Sequence, residues 1–385
     1  MVLAYQIIAI VVGWHIYELT HDPLALGLIG LAEVIPYFSF ALFAGYLIDQ
    51  YSRRLFGVLA SLLLAIIALG LVAVAENKLD SDPRIWIYSL IALSGIARAF
   101  ISPSYNALFA LLIPRTLFSR AAGMGSSIFQ IGLVTGPALG GFLVVWLNKT
   151  GAYGIAAGLY LLAMLALLSL RVAEPPPHAK LPVFSSIAEG LRFVFSQQII
   201  LAAQCLDMFA VLFGGAVSML PAFIHDVFHY GPEGLGLLRA TPAIGAVCTG
   251  LLLAHHPLNR HTGHWLLAAV AGFGLCIIGF ALSNNIWLAA VLLMISGVCD
   301  GISVVLRTTI MQLITPDKMR GRVAAINGIF IGSSNELGAF ESGVAARFLG
   351  LIPSVIFGGS MTLVVVVATA KWAPKLRRLS LHQLQ

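Results

Sequence analysis

Gly132-Leu133-Val134-Thr135-Gly136-Pro137-Ala138-Leu139-Gly140-Gly141 sets glycine at i, i+4 and i+8 inside an apolar run from about Ala121 to Trp146. Glycines at that spacing share one side of a helix and give it a flat face on which a second helix packs closely. Pro137 removes a backbone hydrogen bond and bends the axis. The run exceeds the roughly 20 apolar residues a helix needs to cross a hydrocarbon core of about 30 Å, so it is a membrane span built for close packing.

Similar runs flank it, bounded by Gly, Pro and charge. Before it lie about Val2 to Leu19, Leu24 to Ile48, Leu55 to Ala75 and Ile85 to Ile113; after it come Gly151 to Leu170, Ile199 to Phe223, Gly234 to Ala254, Trp265 to Leu282, Ile286 to Ile314, Val323 to Leu349 and Ile352 to Ala373. Composition agrees, because 59% of the 385 residues are apolar and 10% charged. A soluble domain carries about 25% charged residues, which excludes a soluble enzyme fold. The expectation is an all-α integral membrane protein of twelve transmembrane helices. Span 1 is short, with about 18 residues reaching about 27 Å and no basic residue ahead of it. Either the chain starts further upstream or this span is marginal. No cleavable signal peptide is visible.

Glu174-Pro175-Pro176-Pro177 cannot continue a helix and lies in the one linker of any length, which also holds an amphipathic stretch near Ile187 to Phe195. The expected division is a six-helix bundle over 1–170, a cytoplasmic linker over 171–198 and a second six-helix bundle over 199–385. Ser94, Gly95, Pro114, Arg120, Gly136 and Gly141 recur at one constant offset as Ser296, Gly297, Pro316, Arg322, Gly338 and Gly343, so the bundles read as repeats. The net charge of +6 is explained by position. Arg53, Arg54, Arg115, Arg120, Arg171, Lys180, Arg192, Arg260, Lys318, Arg320, Arg322 and the C-terminal Lys371 to Arg378 cluster fall on one side, against Lys78, Arg84, Lys149 and Arg347 on the other. By the positive-inside rule both termini and the linker are cytoplasmic in a cell membrane, and nothing points to nucleic acid. Cys205, Cys248, Cys276 and Cys299 lie in apolar stretches without paired spacing and read as small core residues.

Gly45, Asp49, Arg53 and Arg54 follow span 2 as a small residue, a carboxylate and paired cations at a tight turn, a workable charged latch. The segment resembles motif A of the major facilitator superfamily, G-x3-D-x3-R-R, with Gln50 and Ser52 in place of a basic residue and the inner glycine. Gly132, Gly136, Pro137, Gly140 and Gly141 match the superfamily's antiporter motif C at every defining position. The cationic loop with Arg320, Gly321 and Arg322 between spans 10 and 11, together with Pro103 in span 4, is similar to the drug and siderophore exporter branch, which includes enterobactin exporters and macrolide efflux proteins. The resemblance covers about Gly13 to Lys371. It implies a major facilitator fold, an alternating-access carrier with spans 1, 4, 7 and 10 lining a central cavity.

Ionisable groups at span depth cost about 2.5 to 3.5 kcal/mol each and face a bundle interior or watery cavity. Here they are Glu33, Arg98, Asp207, Asp300, Arg307, Glu336 and Glu341. The acids outnumber the bases, so one-to-one pairing fails and some carboxylates carry a proton part of the time. Arg98, Asp207, Asp300 and Arg307 either bind substrate and exchange protons or form an ion pair between the bundles. Asp300 and Arg307 share nearly one face but stand about 10 Å apart along the axis, so each needs another partner, and Arg98 with Asp300 is the expected pair. Glu33 serves proton carriage or structural hydrogen bonding. Glu336 is favoured over Glu341, which lies about 140° around the helix from it and nearer the outer end.

Neither His225 with His229 nor the loop group His255, His256, His261 and His264 has the geometry of a metal site, and no metal or other cofactor is expected. No G-x4-G-K-[ST] loop exists, so direct ATP drive is disfavoured. Trp14, Trp86, Trp146, Trp265, Trp287 and Trp372 sit near expected interfaces as an aromatic belt, and Tyr105 either packs or touches an amphipathic substrate. The expected function is proton-coupled efflux of an amphipathic small molecule by a monomer in contact with lipid. The alternatives are uptake by symport and a sensor or partner protein that moves nothing.

Overall fold

The computed structural model describes residues 1–78, 82–114, 117–170, 183–255, 258, 260–316 and 319–380, all helical or in short connections. Of Gly45, Asp49, Arg320, Gly321 and Arg322 only the helical backbone is described, and linker residues 171–182, Arg115, His256 and Lys318 lie outside the described residues.

Several helices begin where local chemistry dictates. The first helix, α1 (Val2–Thr20), ends at His21, which turns left-handed with φ 47°. Asp22 then caps α2 (Pro23–Gln50), its Oδ1 accepting from the Leu24 amide at 2.9 Å with proline in the first turn, where no amide is needed. Asp82 and Pro83 repeat the device at α4 (Pro83–Leu112), and Arg84 donates to the Asp82 carboxylate at 2.6 to 3.0 Å, which holds that carboxyl below its ordinary range. Ser52 caps α3 (Arg53–Ala75) at 3.2 Å from the Leu55 amide. The serine that replaces the motif glycine thus satisfies an otherwise orphaned donor. Ser52→Ala is expected to cost about 1 kcal/mol, seen as a small drop in melting temperature of the detergent-purified chain.

Both faces of α3 are apolar. Leu64, Ala65, Ala68 and Leu71 are buried, while Leu55, Leu59, Leu62, Ile66 and Leu69 are exposed at the complementary positions. A surface of leucine on a folded helix requires a hydrocarbon solvent. Among the described residues ten helices are long and apolar enough to cross a membrane. One of them lies in α5 (Phe118–Ser169), which turns inside at Asn148 with φ 57°, between the stretches expected as spans 5 and 6. The expected span 7 is broken. After α7 (Gln198–Phe213) come a 3-10 stretch (Gly215–Met219), a single turn α8 (Leu220–Ala222) and a π-helical stretch (Phe223–Phe228). Pro221 cannot donate back along the helix.

The chain divides into two compact units, Met1–Leu181 with His229–Ala240, and Pro182–Phe228 with Thr241–Gln385. In the first, α1 and α3 pack on α5, and α2 and α4 pack together. The first turns of α9 (Pro232–His255) belong to this unit rather than to a bundle beginning at residue 199. A close backbone approach accounts for this, because a Cβ at Gly236 would stand 2.6 Å from the Pro137 carbonyl oxygen.

The second unit holds α6 (Val183–Ser196), α10 (Thr262–Leu282), α11 (Ile286–Ile314), α12 (Arg320–Leu349), α13 (Leu351–Trp372) and the short α14 (Pro374–Arg377). Its core joins Leu206, Leu266, Leu306, Ile310, Val366 and Leu376, and Val194 of the amphipathic α6 is buried against Val323 and Ile326 of α12.

The internal repeat has a physical basis in matching helix contacts. Gly95 of α4 lies against the Glu33 carbonyl of α2, and its repeat mate Gly297 of α11 lies against the Pro242 carbonyl of α9. Likewise Gly136 of α5 meets α1 at Gln6, while Gly338 of α12 meets α7 at the carbonyls of Val211 and Leu212.

Candidate functional site

The motif C glycines make the floor on which α1 lies. A Cβ at Gly132 would stand 2.9 Å from Val2 Cγ1, one at Gly136 2.5 Å from Gln6 Cβ, and one at Gly140 3.1 Å from Ile10 Cβ. The partners recur every four residues, as the glycines do. Gly141 faces α9 instead, with the Gly236 Cα 3.0 Å from where its Cβ would be.

That floor fixes Tyr5, one residue from Gln6, which the sequence reading missed. Its only sequence signal is a phenol beside Gln6 near the start of an apolar run. The Arg98 guanidinium donates to the Tyr5 hydroxyl at 2.9 Å, the hydroxyl approaches Glu33 Oε2 at 3.5 Å, and Arg98 pairs directly with Glu33 Oε1. The guanidinium also sits over the Tyr5 ring, 4.0 Å from its centroid, with the Tyr37 ring at 6.0 Å. Glu33 is 7% exposed. An arginine held by a carboxylate, a phenol and two aromatic faces has its charge well compensated. Within its own unit the carboxylate that Arg98 meets is Glu33 on the neighbouring α2, a partner that the expected pair of Arg98 with Asp300 did not include. Gly95, one turn before Arg98, brings the two helices close enough for the pair to form.

The second unit has its own pair. Arg307 of α11 meets Asp207 of α7, and the two are 4% and 6% exposed. This is the further partner that Arg307 needs. Gln204, one turn before Asp207, is buried and points its amide nitrogen at Met311 Sδ, 3.8 Å away. Asp300 stands two turns before Arg307 on α11 and is half-buried, and among the described residues it accepts no hydrogen bond and meets no cation.

The remaining candidates fall elsewhere. Glu336 lies on α12 near the exposed Asn335. Glu341 precedes Ser342, whose hydroxyl would be 2.5 Å from a Cβ at Gly215 where the broken span unwinds. Tyr105 is exposed with its ring 6.0 Å from that of Phe109. His225 bonds to Asp226 at 2.6 Å, and the rings of His261 and His264 are 6.1 Å apart. Trp146, Trp287 and Trp372 are among the most exposed side chains.

Arg54 of the motif A segment performs a function of its own. Its Nε donates to the Leu167 carbonyl at 3.0 Å and its other nitrogen to the Leu168 carbonyl, at the end of α5. The carbonyls of a helix's last turn carry the negative end of its dipole and attract a cation, so Arg54 ties α3 to the last turn of α5.

Apolar helices with glycine-mediated packing, and buried charge pairs within them, define a multi-pass membrane carrier. The chain belongs to the Major Facilitator Superfamily, whose family model matches residues 1–339. It is a transport protein, not an enzyme. It is 25% identical to the multidrug efflux pump Tap of Mycolicibacterium fortuitum over 96% of this chain and 91% of that one. It is 26% identical to the enterobactin exporter EntS of Citrobacter koseri, over 93% of this chain and 87% of that one. Its fold is similar to that of a bacterial homolog of the human lysosomal transporter Spinster, solved inward-facing and occupied, with a TM-score of 0.72 at 16% identity over 98% and 97% of the two chains.

Proposed function

We propose that the chain is a proton-driven exporter of an amphipathic small molecule, acting as a monomer in the cell membrane with both termini cytoplasmic. The observation that carries this reading is the contrast among the carboxylates. Glu33 and Asp207 each have an arginine, whereas Asp300 has no counter-charge among the described residues. An uncompensated carboxylate at that depth costs about 2.5 to 3.5 kcal/mol, a cost that taking up a proton or a cationic group removes. Asp300 is thereby suited to exchange one for the other, which is the elementary step of antiport.

Glu33, with Arg98 and Tyr5, is the second exchange site. Protonating Glu33 would release Arg98 from its carboxylate while the phenol and the aromatic faces still hold it. Asp207 and Arg307 are buried more completely, which suits a pair that holds α7 to α11. The printed roles of Tap and EntS support export, and the glycine face matching motif C supports the same direction.

Asp300→Asn keeps the size of the side chain and removes its charge. It is expected to lower substrate-dependent proton flux at least tenfold while the purified protein still elutes as a single species, and Asp300→Glu is expected to retain coupling. Unchanged flux in Asp300→Asn would remove the residue from the mechanism.

A further inference from the structure

The four cysteines are far apart in sequence, yet the structure brings two of them together. Cys299 of α11 sets its sulfur against α10 one turn before Cys276, so that the two thiols neighbour each other. Cys276 is buried and Cys299 half-buried, and both are free thiols. Gly272, one turn before Cys276, shapes the site, because a Cβ there would stand 2.9 Å from Cys299 Sγ. Glycine leaves the notch that admits the second sulfur. Cys205 and Cys248 lie on other helices, α7 and α9.

Two neighbouring thiols inside an apolar helix pair select a narrow chemistry. A structural zinc site needs four ligands, and the described residues hold no group of three or more histidine, cysteine or acidic side chains placed for a metal. Separated thiolates would be unpaired charges among aliphatic neighbours. The matching reagent is neutral, takes two S–H groups together and leaves a neutral product.

We propose that Cys276 and Cys299 form a dithiol site for trivalent organoarsenicals. In the hydrated form of such a reagent the arsenic carries two hydroxyls. Each As–O bond breaks as an As–S bond forms, and each thiol proton leaves with the departing hydroxyl as water. Two waters are released, arsenic stays trivalent, and no oxidant or reductant is consumed. The product bridges α10 to α11 next to Asp300.

The test uses the full chain in detergent after reduction and removal of the reductant. Phenylarsine oxide is added, excess 2-mercaptoethanol strips arsenic held by a single thiol, and the denatured protein is alkylated with N-ethylmaleimide for peptide mass analysis. The expected result is one phenylarsenic per chain, with Cys276 and Cys299 protected and Cys205 and Cys248 alkylated. A dithiol such as 2,3-dimercaptopropanol should reverse the protection. Cys276→Ser and Cys299→Ser should each lower the retained arsenic at least tenfold. Alkylation of Cys276 and Cys299 to the same extent as Cys205 and Cys248 would overturn the proposal, as would arsenic retention that survives either substitution. The protection pattern in the unsubstituted chain decides the matter even where a variant fails to fold.

Discussion

Arg307→Ala is expected to destabilise the protein by about 3 to 5 kcal/mol, the cost of leaving a buried charge without its partner. The substitution strands Asp207 at 6% exposure between α7 and α11. Asp207→Ala should cost a similar amount by stranding the guanidinium. The two losses should not add. Asp207→Leu combined with Arg307→Met replaces the pair by apolar groups of related volume, and such replacements are often neutral or stabilising, so the double variant should melt well above either single one. Thermal melting in one detergent of the unsubstituted chain, the two alanine variants and the double alanine variant checks the non-additivity as a double-substitution cycle, and the Leu/Met variant is melted beside them. Additive losses would mean that the pair is not the unit of stability.

The second large effect is expected at the repeat glycines. A Cβ at Gly95 would run into the Glu33 carbonyl, with the Tyr37 amide nitrogen 3.3 Å away, and one at Gly297 would meet the Pro242 carbonyl and Cα. The obstacles are backbone atoms, which cannot rotate aside as a side chain can. Gly95→Ala and Gly297→Ala should therefore separate α4 from α2 and α11 from α9, at about 1 to 3 kcal/mol each. Gly95→Ala should also weaken the pair of Arg98 with Glu33, because Glu33 is the residue pushed away. Gly154→Ala is the control, since nothing lies within 4 Å of a Cβ there. Yield of monodisperse protein after extraction is the readout, and equal yields at all three positions would count against glycine-mediated packing.

These residues show what the sequence could disclose. The glycine face of α5 was legible because its spacing matches the helical period. The buried charges stood out because each is costly in an apolar run. Their partners did not. The repeat sets Arg98 opposite Asp300, but pairing follows from which helices pack, and within the first unit Gly95 brings α2 against α4. Tyr5 and the thiol pair stayed hidden for the same reason. No spacing rule connects residues on different helices.

The central claim is proton-coupled export, and the most direct measurement is made in proteoliposomes with an imposed pH gradient. Internal pH is followed while ethidium, as an amphipathic cation, and a catecholate siderophore are supplied in turn. Proton movement that depends on one of these probes and runs opposite to it, and that Asp300→Asn abolishes, is the predicted result. Movement of protons in the same direction as the probe, or transport of a probe with no proton flux, would contradict it.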